Sequence, residues 1–305
     1  MAFLRLIRWP NLLIIGFILV LAKTQLVDPI SELSEINSCL SQLHWWLMGL
    51  ATVFIAASGN VVNDIFDQSI DQHNRPNKVI VGNQISEEKA WNIYYALAAL
   101  GVGIGVYLCY ILGNVSNALL FMLTTGGLYF YSYSYKRQFL IGNLVVAVLA
   151  GLVPFLPIYF QSMCGTEEWI HLPWAPMLVA YACFAFLTTL IREIIKDMED
   201  VQGDSKQHCN TIPIVLGTGG AKLVVLFLIV VLIGAVGWLQ SAWIAQRDTI
   251  TFFYFMLGVQ LPAAVIAIQV IKAKEVQQFR LASTISKVLM LVGILYMVIF
   301  SQTLK

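Results

Sequence analysis

The sequence predicts an all-α, polytopic membrane protein, and two observations carry that prediction. Of the 305 residues, 59% are apolar and only 11% are charged, whereas a soluble domain usually carries about 25% charged residues. Apolar runs of about 20 residues recur along the chain, and a helix of that length spans a hydrocarbon core of about 30 Å. The expected surroundings are a lipid bilayer. The net charge of +1 offers no basic surface for nucleic acid.

Nine transmembrane helices follow from these runs, because turn or charged residues interrupt the apolar sequence at eight places. The first run comes after a basic segment, like a signal peptide, but no small-x-small cleavage site follows it. We therefore expect an uncleaved first span. Pro10, Pro154, Pro157 and Pro262 fall inside or at the ends of spans, where neighbouring helices can satisfy the freed backbone groups. The nine spans cover approximately 10–22, 43–62, 90–111, 116–134, 140–160, 174–194, 222–243, 251–271 and 284–301.

The basic residues predict how these spans are oriented. If all nine runs cross the membrane, only Lys23, Arg247 and Lys305 of the 18 Lys and Arg residues fall on the side opposite the N-terminus. The other fifteen share the N-terminal side, and an excess of Lys and Arg marks the cytoplasmic side. We expect an integral, multi-pass membrane protein with a cytoplasmic N-terminus, in the inner membrane if the cell is bacterial.

The cysteine and histidine residues indicate no cross-linked or zinc-bound framework. The five cysteines are odd in number and scattered without a CxxC pair, and the four histidines are equally dispersed. This pattern predicts neither a disulfide framework nor a zinc site.

A first group of acids follows the second span, in the segment NDIFDQSID from Asn63 to Asp71. With Asn60, the aspartates at 64, 67 and 71 fall at positions i, i+4, i+7 and i+11. On a helix these positions lie within about 60° of one another, so they form a single stripe. The orientation above places this stripe at the cytoplasmic end of its helix.

A second group of acids repeats that spacing after the sixth span, in KDMEDVQGD from Lys196 to Asp204. Glu193 precedes it as Asn60 precedes the first group. The following loops, RPNKVIVG and CNTIPIVLG, both end a short apolar run in glycine. This weak internal repeat predicts two four-helix halves plus one helix around a central cavity. We expect a single transmembrane domain over 1–305, with acidic motifs at 60–71 and 193–204.

The acids in these motifs need counter-charge, because like charges on adjacent turns repel one another and cost more near a membrane. Magnesium prefers a few carboxylates and completes its shell with water and phosphate oxygens. A diphosphate head with a hydrocarbon tail suits a metal site at the mouth of an apolar bundle, where Mg²⁺ would stabilise the leaving group. The alternative is that these acids only cap helix ends in water. The expected metal ligands are Asn60 and the six catalytic aspartates Asp64, Asp67, Asp71, Asp197, Asp200 and Asp204.

Both motifs resemble those of a known family. NDIFDQSID is similar to the first aspartate-rich motif of the UbiA superfamily of intramembrane prenyltransferases, and KDMEDVQGD is similar to the second. LYFYSYSYKR after the fourth span and Arg75-Pro76 also resemble that family. The resemblance implies nine helices around a central cavity, with Mg²⁺ bridging the aspartates to a prenyl diphosphate. Departure of the diphosphate would leave an allylic carbocation, which an acceptor captures.

Within that superfamily, GNVVNDIFDQSID and REIIKDMEDVQGD resemble the geranylgeranylglycerol-phosphate geranylgeranyltransferase branch. That resemblance implies transfer of a geranylgeranyl group to a hydroxyl of a lipophilic acceptor, with an ether as product. Related branches imply aromatic acceptors instead, such as 4-hydroxybenzoate, homogentisate or dihydroxynaphthoate.

Polar and basic residues near the motifs are candidates for substrate binding. The basic ones could add positive charge around the diphosphate, and Arg192 and Lys196 either neutralise the second motif or contact a phosphate-bearing acceptor. Asn11 and Asn143 could line the cavity, or could hydrogen-bond between helices. The candidates are Asn11, Asn60, Asn63, Arg75, Lys78, Lys136, Arg137, Arg192 and Lys196.

A secondary transporter is the rival from another class, since intramembrane acids and repeated halves also mark ion-coupled carriers. The acids of such carriers tend to lie near the bilayer midplane in broken helices. Both acidic motifs are expected at helix ends, beside basic loops, which favours the enzyme. A lipid-binding protein without catalysis would give no reason for two intact acidic triplets.

Overall fold

The fold is all-α, as the sequence predicts. The computed structural model describes residues 1–36, 38–68, 79–164, 171–206, 209–245 and 248–303. Apart from one isolated bridge between Val81 and Ile85, all regular structure in these ranges is helical. The helices are α1 (Ala2–Leu6), α2 (Trp9–Leu21), α3 (Asp28–Leu33), α4 (Gln42–Phe66), α5 (Glu87–Ile111), α6 (Leu119–Tyr133), α7 (Ile141–Cys164), α8 (Ala175–Lys206), α9 (Ile212–Val215), α10 (Gly217–Ala245), α11 (Thr249–Phe255), α12 (Leu261–Lys272) and α13 (Val276–Thr303).

The chain packs into two compact units. Unit 1 comprises Met1–Lys136 and Leu152–Ala180, and unit 2 comprises Arg137–Gly151 and Tyr181–Lys305. The first acidic motif therefore belongs to unit 1 and the second to unit 2.

Eight segments of the described chain are helical, long and apolar enough to cross a membrane. They match eight of the nine predicted spans and establish a multi-pass membrane protein. The remaining prediction, 116–134, falls on α6, which has 15 residues and an axial length of about 22 Å. The count of nine crossings stays a prediction.

The first span extends further than expected. It continues from α2 through a π-helical turn, Ala22–Val27, into α3, so that Trp9–Leu33 forms one helical segment of 25 residues. The sequence indicated an end at residue 22, just before a charged side chain. Lys23 Nζ lies 2.7 Å from Asp28 Oδ2, and this pairing lets the helix continue past the charge.

α4 is the centre of unit 1, packed against α2, α5 and α6. It begins with a capping box, in which the Ser41 hydroxyl accepts the N–H of His44 and the His44 ring accepts the N–H of Ser41. At Gly101, α5 lies so close to α4 that a Cβ atom would be 2.7 Å from Ile55 Cγ1 and 3.1 Å from the Ala51 carbonyl oxygen. Small residues commonly mark such contacts between membrane helices.

In unit 2 an apolar core determines the rotation of α8. Ile194 and Ile195 are fully buried in a cluster that also contains Val225 of α10, Val270 of α12 and Leu289 of α13. The side chains just before and after this pair point to other faces of the helix. The core therefore directs the charged residues of the second motif away from it.

A disulfide joins Cys39 to Cys164 in unit 1, with their Cα atoms 5.9 Å apart. The sequence-based prediction that the cysteines form no disulfide was wrong on this pair. Close by, the Ser38 hydroxyl donates to Gln161 Oε1 at 2.8 Å. The 125-residue separation of the two cysteines explains the error, because the fold brings the segment before α4 to the end of α7 and no local spacing records this contact.

Candidate functional site

The first acidic motif lies on the last turns of α4, which ends at Phe66 with Asp67 as its capping residue. Asn60, Asn63 and Asp64 are on the helix, so the predicted stripe is helical up to Asp67. Three further candidates of this motif, Asp71, Arg75 and Lys78, lie outside the described residues.

Arg8 is the partner of Asp64, with its Nη2 atom 2.7 Å from the carboxylate Oδ1. Arg8 precedes α2 and adopts a φ of 52°, in the left-handed region. The Asn60 side-chain amide supports the same turn by donating to the Ile7 carbonyl at 2.9 Å. Two residues of the motif thus hold the N-terminal turn against the end of α4.

Asp67 accepts hydrogen bonds from two candidate substrate-binding residues. The Lys136 ammonium pairs with Oδ1, and the Asn63 amide donates to Oδ2 at 2.8 Å. Asp64 and Asp67 are mostly buried, with 14% and 17% of their side-chain surfaces exposed. Because one cation stands beside each carboxylate, the described part of the motif is balanced in charge.

The second motif lies on the C-terminal part of α8, a helix of 32 residues. At about 1.5 Å per residue its axis is about 48 Å long, which exceeds a hydrocarbon core of about 30 Å. Asp197, Asp200 and Asp204 are all helical, so the predicted stripe is confirmed along its whole length. Asp197 Oδ2 accepts a hydrogen bond of 2.8 Å from the Asn143 side chain of α7.

Glu193 begins the second stripe and is 9% exposed. Its carboxylate accepts from Arg192 Nη1 at 2.6 Å and from Lys196 Nζ at 2.8 Å. Six residues later, Glu199 accepts from Arg280 Nε of α13 at 3.0 Å. The predicted role of Arg192 and Lys196 in local charge balance is therefore visible in the structure.

The two remaining candidates for substrate binding in the described residues, Asn11 and Arg137, have different surroundings. Asn11 is exposed on α2, where its backbone N–H donates to the Arg8 carbonyl at 2.9 Å. Arg137 belongs to unit 2, where its carbonyl oxygen accepts the Asn210 N–H at 2.7 Å. The Nε atom of Arg137 is buried without a hydrogen-bond partner, and a ligand oxygen would satisfy it.

Two residues that the sequence did not single out for the site belong to it. Arg8 pairs with the first motif, and Arg280 pairs with a buried glutamate beside the second. A basic residue directly before Trp9-Pro10 was the only local signal for Arg8. Nothing in the sequence linked Arg280 to α8, because their contact depends on how the two helices pack.

The carboxylates suit Mg²⁺ by donor chemistry, since hard divalent ions bind oxygen ligands. Within the described ranges, no three side chains of His, Cys, Asp or Glu are grouped closely enough to hold one metal ion. Asp64 and Asp67 are nevertheless one turn apart, and Mg²⁺ commonly uses one or two carboxylates plus water and substrate phosphate oxygens. The residues therefore fit a metal that a phosphorylated ligand helps to bind.

Comparison with known proteins identifies the family to which the chain belongs. The profile of the UbiA prenyltransferase family matches residues 12–294, which include both acidic motifs. The digeranylgeranylglyceryl phosphate synthase of Methanosphaera stadtmanae is 37% identical over 60% of this chain and 61% of its own length. The enzyme of the same name from Thermococcus sibiricus is 31% identical over 76% of this chain and 75% of its own length. The chain thus spans about three fifths of the length of the first of these relatives.

Solved structures share the fold. A UbiA homologue from Aeropyrum pernix superimposes with a TM-score of 0.65 at 19% identity, over 93% of this chain and 96% of that one. A homologue from Archaeoglobus fulgidus, bound to DMAPP and Mg²⁺, superimposes with a TM-score of 0.60 at 18% identity, over 96% and 98% of the two chains.

Proposed function

Because this chain belongs to the UbiA prenyltransferase family, we propose that it transfers a prenyl group from a prenyl diphosphate to a lipophilic acceptor in the membrane. The observation that carries the proposal is the end of α4, where Asp64 and Asp67 lie one turn apart with Arg8 and Lys136 beside them. Carboxylates for a metal and cations for a phosphate thus occur in one place. The structure of the Archaeoglobus homologue with DMAPP and Mg²⁺ supports this assignment.

The aspartates of both motifs hold Mg²⁺ in this proposal, with Asn60 and Asn63 orienting those of the first. Mg²⁺, when bound, neutralises the diphosphate and stabilises it as a leaving group. Lys136 and Arg8 lie close enough to the first motif to exchange their carboxylate partners for diphosphate oxygens. Asn143 holds Asp197 in one orientation. The same roles extend to Asp71, Arg75 and Lys78 by the motif spacing alone.

The acceptor is a hydroxyl group in this proposal, and the donor carries a geranylgeranyl chain. The relatives named digeranylgeranylglyceryl phosphate synthase support both, since their product carries two such chains on glyceryl phosphate. The bond between the prenyl C1 atom and the diphosphate oxygen breaks, and the diphosphate keeps the electron pair. A bond forms between C1 and the acceptor oxygen, and the hydroxyl proton passes to solvent.

The chain acts as one domain in this proposal, because the family profile runs through both units. The N-terminus and both motifs lie on the cytoplasmic side, as the distribution of basic residues predicts. The position of the acids argues against a transporter. Asp64 and Asp67 stand at the end of an unbroken helix of 25 residues, α4, rather than at its middle.

The test is prenyl transfer by the purified full chain in lipid nanodiscs. The protein is incubated with radiolabelled geranylgeranyl diphosphate, Mg²⁺ and a panel of acceptors that includes geranylgeranylglyceryl phosphate and aromatic acids. We expect a labelled ether lipid that EDTA abolishes, and a rate at least about 100-fold lower for Asp67→Ala and for Asp200→Ala. Glu32→Ala, which removes an exposed acid at the end of the first span away from Arg8, is the control.

Two results would reject the proposal. One is the absence of Mg²⁺-dependent product with every acceptor in the panel. The other is product formation by both motif variants at the wild-type rate, which would remove the role of the aspartates.

A further inference from the structure

We propose that a second polar surface, beside the acidic motif of α8, binds the phosphate monoester of the acceptor. This inference rests on the proposed function and names the part of the acceptor that the protein recognises. We call the surface the α8–α13 strip. It consists of four cations and two carboxylates, namely Arg192, Lys196, Arg280, Lys287, Glu193 and Glu199.

The strip joins two helices of unit 2. On α8, Arg192, Lys196 and Glu199 occur at i, i+4 and i+7, and therefore share one face. On α13, Arg280 and Lys287 are seven residues apart and also share a face. The ion pair between Arg280 Nε and Glu199 Oε1, 3.0 Å long, brings these two faces together. The electrostatic neighbours of Lys287 are four members of the strip on α8: Arg192, Lys196, Glu193 and Glu199.

The α8 cations of the strip lie on a different face of that helix from the three aspartates, whereas Glu193 begins the aspartate stripe and pairs with Arg192 and Lys196. At about 100° per residue, Arg192, Lys196 and Glu199 are centred about 100° away from the three aspartates. Asn143 of α7 holds Asp197 on that other face, whereas α13 covers the strip at Glu199. Helix α8 therefore presents three faces: the apolar core, the aspartates and the strip.

Positive charge exceeds negative charge in the strip. Arg192 and Lys196 share the single carboxylate of Glu193, at 2.6 and 2.8 Å, and Arg280 uses Glu199. The six side chains of the strip therefore carry four positive and two negative charges, and Asp197 is a further carboxylate that interacts electrostatically with Lys196. A phosphate monoester carries a charge of about −1.5 to −2 near pH 7, so one such group would neutralise this excess.

Two donors in the strip are available to an anion. The Nε atom of Arg192 is buried and makes no hydrogen bond, and an arginine can present two parallel N–H groups to a phosphate. Lys287 is exposed and lies about 16 Å along α13 from its first residue. A cation at that depth in a membrane helix requires a polar partner. An acceptor phosphate at this place would supply one.

The chemistry fits a phosphate at the head of an apolar chain, which could belong to the acceptor or to an anionic bilayer lipid. We assign it to the acceptor, because the strip adjoins the motif at which prenyl transfer is proposed. Binding of geranylgeranylglyceryl phosphate is measured by calorimetry on the full chain, without Mg²⁺ or prenyl diphosphate. The same acceptor lacking its phosphate is the comparison ligand, and this arm requires no catalysis.

For the wild-type protein we expect at least about 10-fold tighter binding of the phosphorylated acceptor. Lys287→Gln should remove most of that preference, Lys287→Arg should restore it, and Lys274→Gln, an exposed cation before α13, should leave it unchanged. In turnover, Lys287→Gln should raise KM for the acceptor by about 10-fold while KM for the prenyl diphosphate changes less than twofold.

Several outcomes would overturn this inference. Equal binding of the two acceptors by the wild-type protein would do so without any variant. An increased KM for prenyl diphosphate in Lys287→Gln would assign the strip to the donor. If the activity of that variant instead depended only on the amount of phosphatidic acid in the nanodisc, the strip would be assigned to a bilayer lipid. If the binding preference holds but no product forms with any acceptor, the proposed function fails and the anion site remains.

Discussion

Arg8 Nη2 lies 2.7 Å from Asp64 Oδ1, although 56 residues separate the two along the chain. An arginine in the left-handed region is unfavourable by about 1–3 kcal/mol and persists where its surroundings determine it strongly. Here Asn60 holds the preceding carbonyl and Asp64 holds the side chain. The first acidic motif therefore has a structural partner at the N-terminus as well as its proposed catalytic role.

Replacing Arg8 should make the motif more responsive to metal. In Arg8→Gln, Asp64 loses its cation, so we expect the free energy of unfolding without metal to fall by about 1 kcal/mol. Mg²⁺ should then raise the Tm more than it does in the wild-type protein, because the ion no longer competes with Arg8. Thermal unfolding with and without Mg²⁺ measures both effects. Arg5→Gln, which removes a surface hydrogen bond to Gln84, is the control, and equal Mg²⁺ shifts in wild type and Arg8→Gln would contradict the prediction.

Asn143 should act by positioning Asp197. Removing its side chain in Asn143→Ala leaves the carboxylate without its 2.8 Å hydrogen bond, and residues that orient metal ligands typically contribute 10- to 100-fold. We expect kcat to fall by about that factor while the Tm changes little. The matched control is Asn117→Ala, which removes a hydrogen bond from Tyr159 in unit 1. Wild-type kcat in Asn143→Ala would show that the hydrogen bond has no part in the reaction.

The contact between α4 and α5 should tolerate no added methyl group at Gly101. In Gly101→Ala the new Cβ would meet Ile55 at 2.7 Å and backbone atoms of α4 at 3.0 and 3.1 Å, which forces the helices apart. We expect the free energy of unfolding to fall by about 1–3 kcal/mol, the usual result of overpacking. Gly103→Ala places its methyl group where nothing lies within 4 Å, and it should be neutral. Denaturant unfolding of the two variants compares them, and equal stabilities would count against the close approach.

The disulfide should stabilise unit 1 without serving catalysis. The double variant Cys39→Ser with Cys164→Ser is expected to lose about 2–4 kcal/mol of stability, since the bridge closes a long loop. Its prenyl-transfer rate at low temperature should stay within twofold of wild type, because Cys39 precedes the start of α4 whereas the first motif lies at the other end of that helix. Cys183→Ser, at an exposed free cysteine, controls for the substitution itself. A Tm equal to that of wild type would refute the stabilising role.

Local periodicity made much of this structure predictable. The spacing of Asp197, Asp200 and Asp204 placed them on one helical face, and α8 is helical through all three. For most ends of the long helices, the apolar runs predicted the boundary to within a few residues, because a bilayer requires a minimum length of apolar helix. The family assignment from the two motifs was also confirmed.

Features that depend on packing could not be predicted in this way. The pairing of Arg8 with Asp64 joins the turn before α2 to α4, and that of Arg280 with Glu199 joins α13 to α8. The bond between Cys39 and Cys164 joins the segment before α4 to the last residue of α7. Sequence spacing records neighbours along a helix, whereas these contacts arise from side chains that meet across helices.

The contact between Lys136 and Asp67 also constrains the number of times that the chain crosses the membrane. Two side chains in contact lie on the same side of a bilayer, so the chain between them must cross it an even number of times. Only α5 and α6 could cross between Asp67 and Lys136 in the described structure, and α5 is 25 residues long. A crossing by α6 would satisfy this requirement, as the sequence predicts. With the 3₁₀ turn Val115–Ala118 before it, the segment reaches about 30 Å, the thickness of the hydrocarbon core. Cys39 and Cys164, which are joined by a disulfide, also require an even number of crossings between them, so both contacts are consistent with the nine crossings that the sequence predicts.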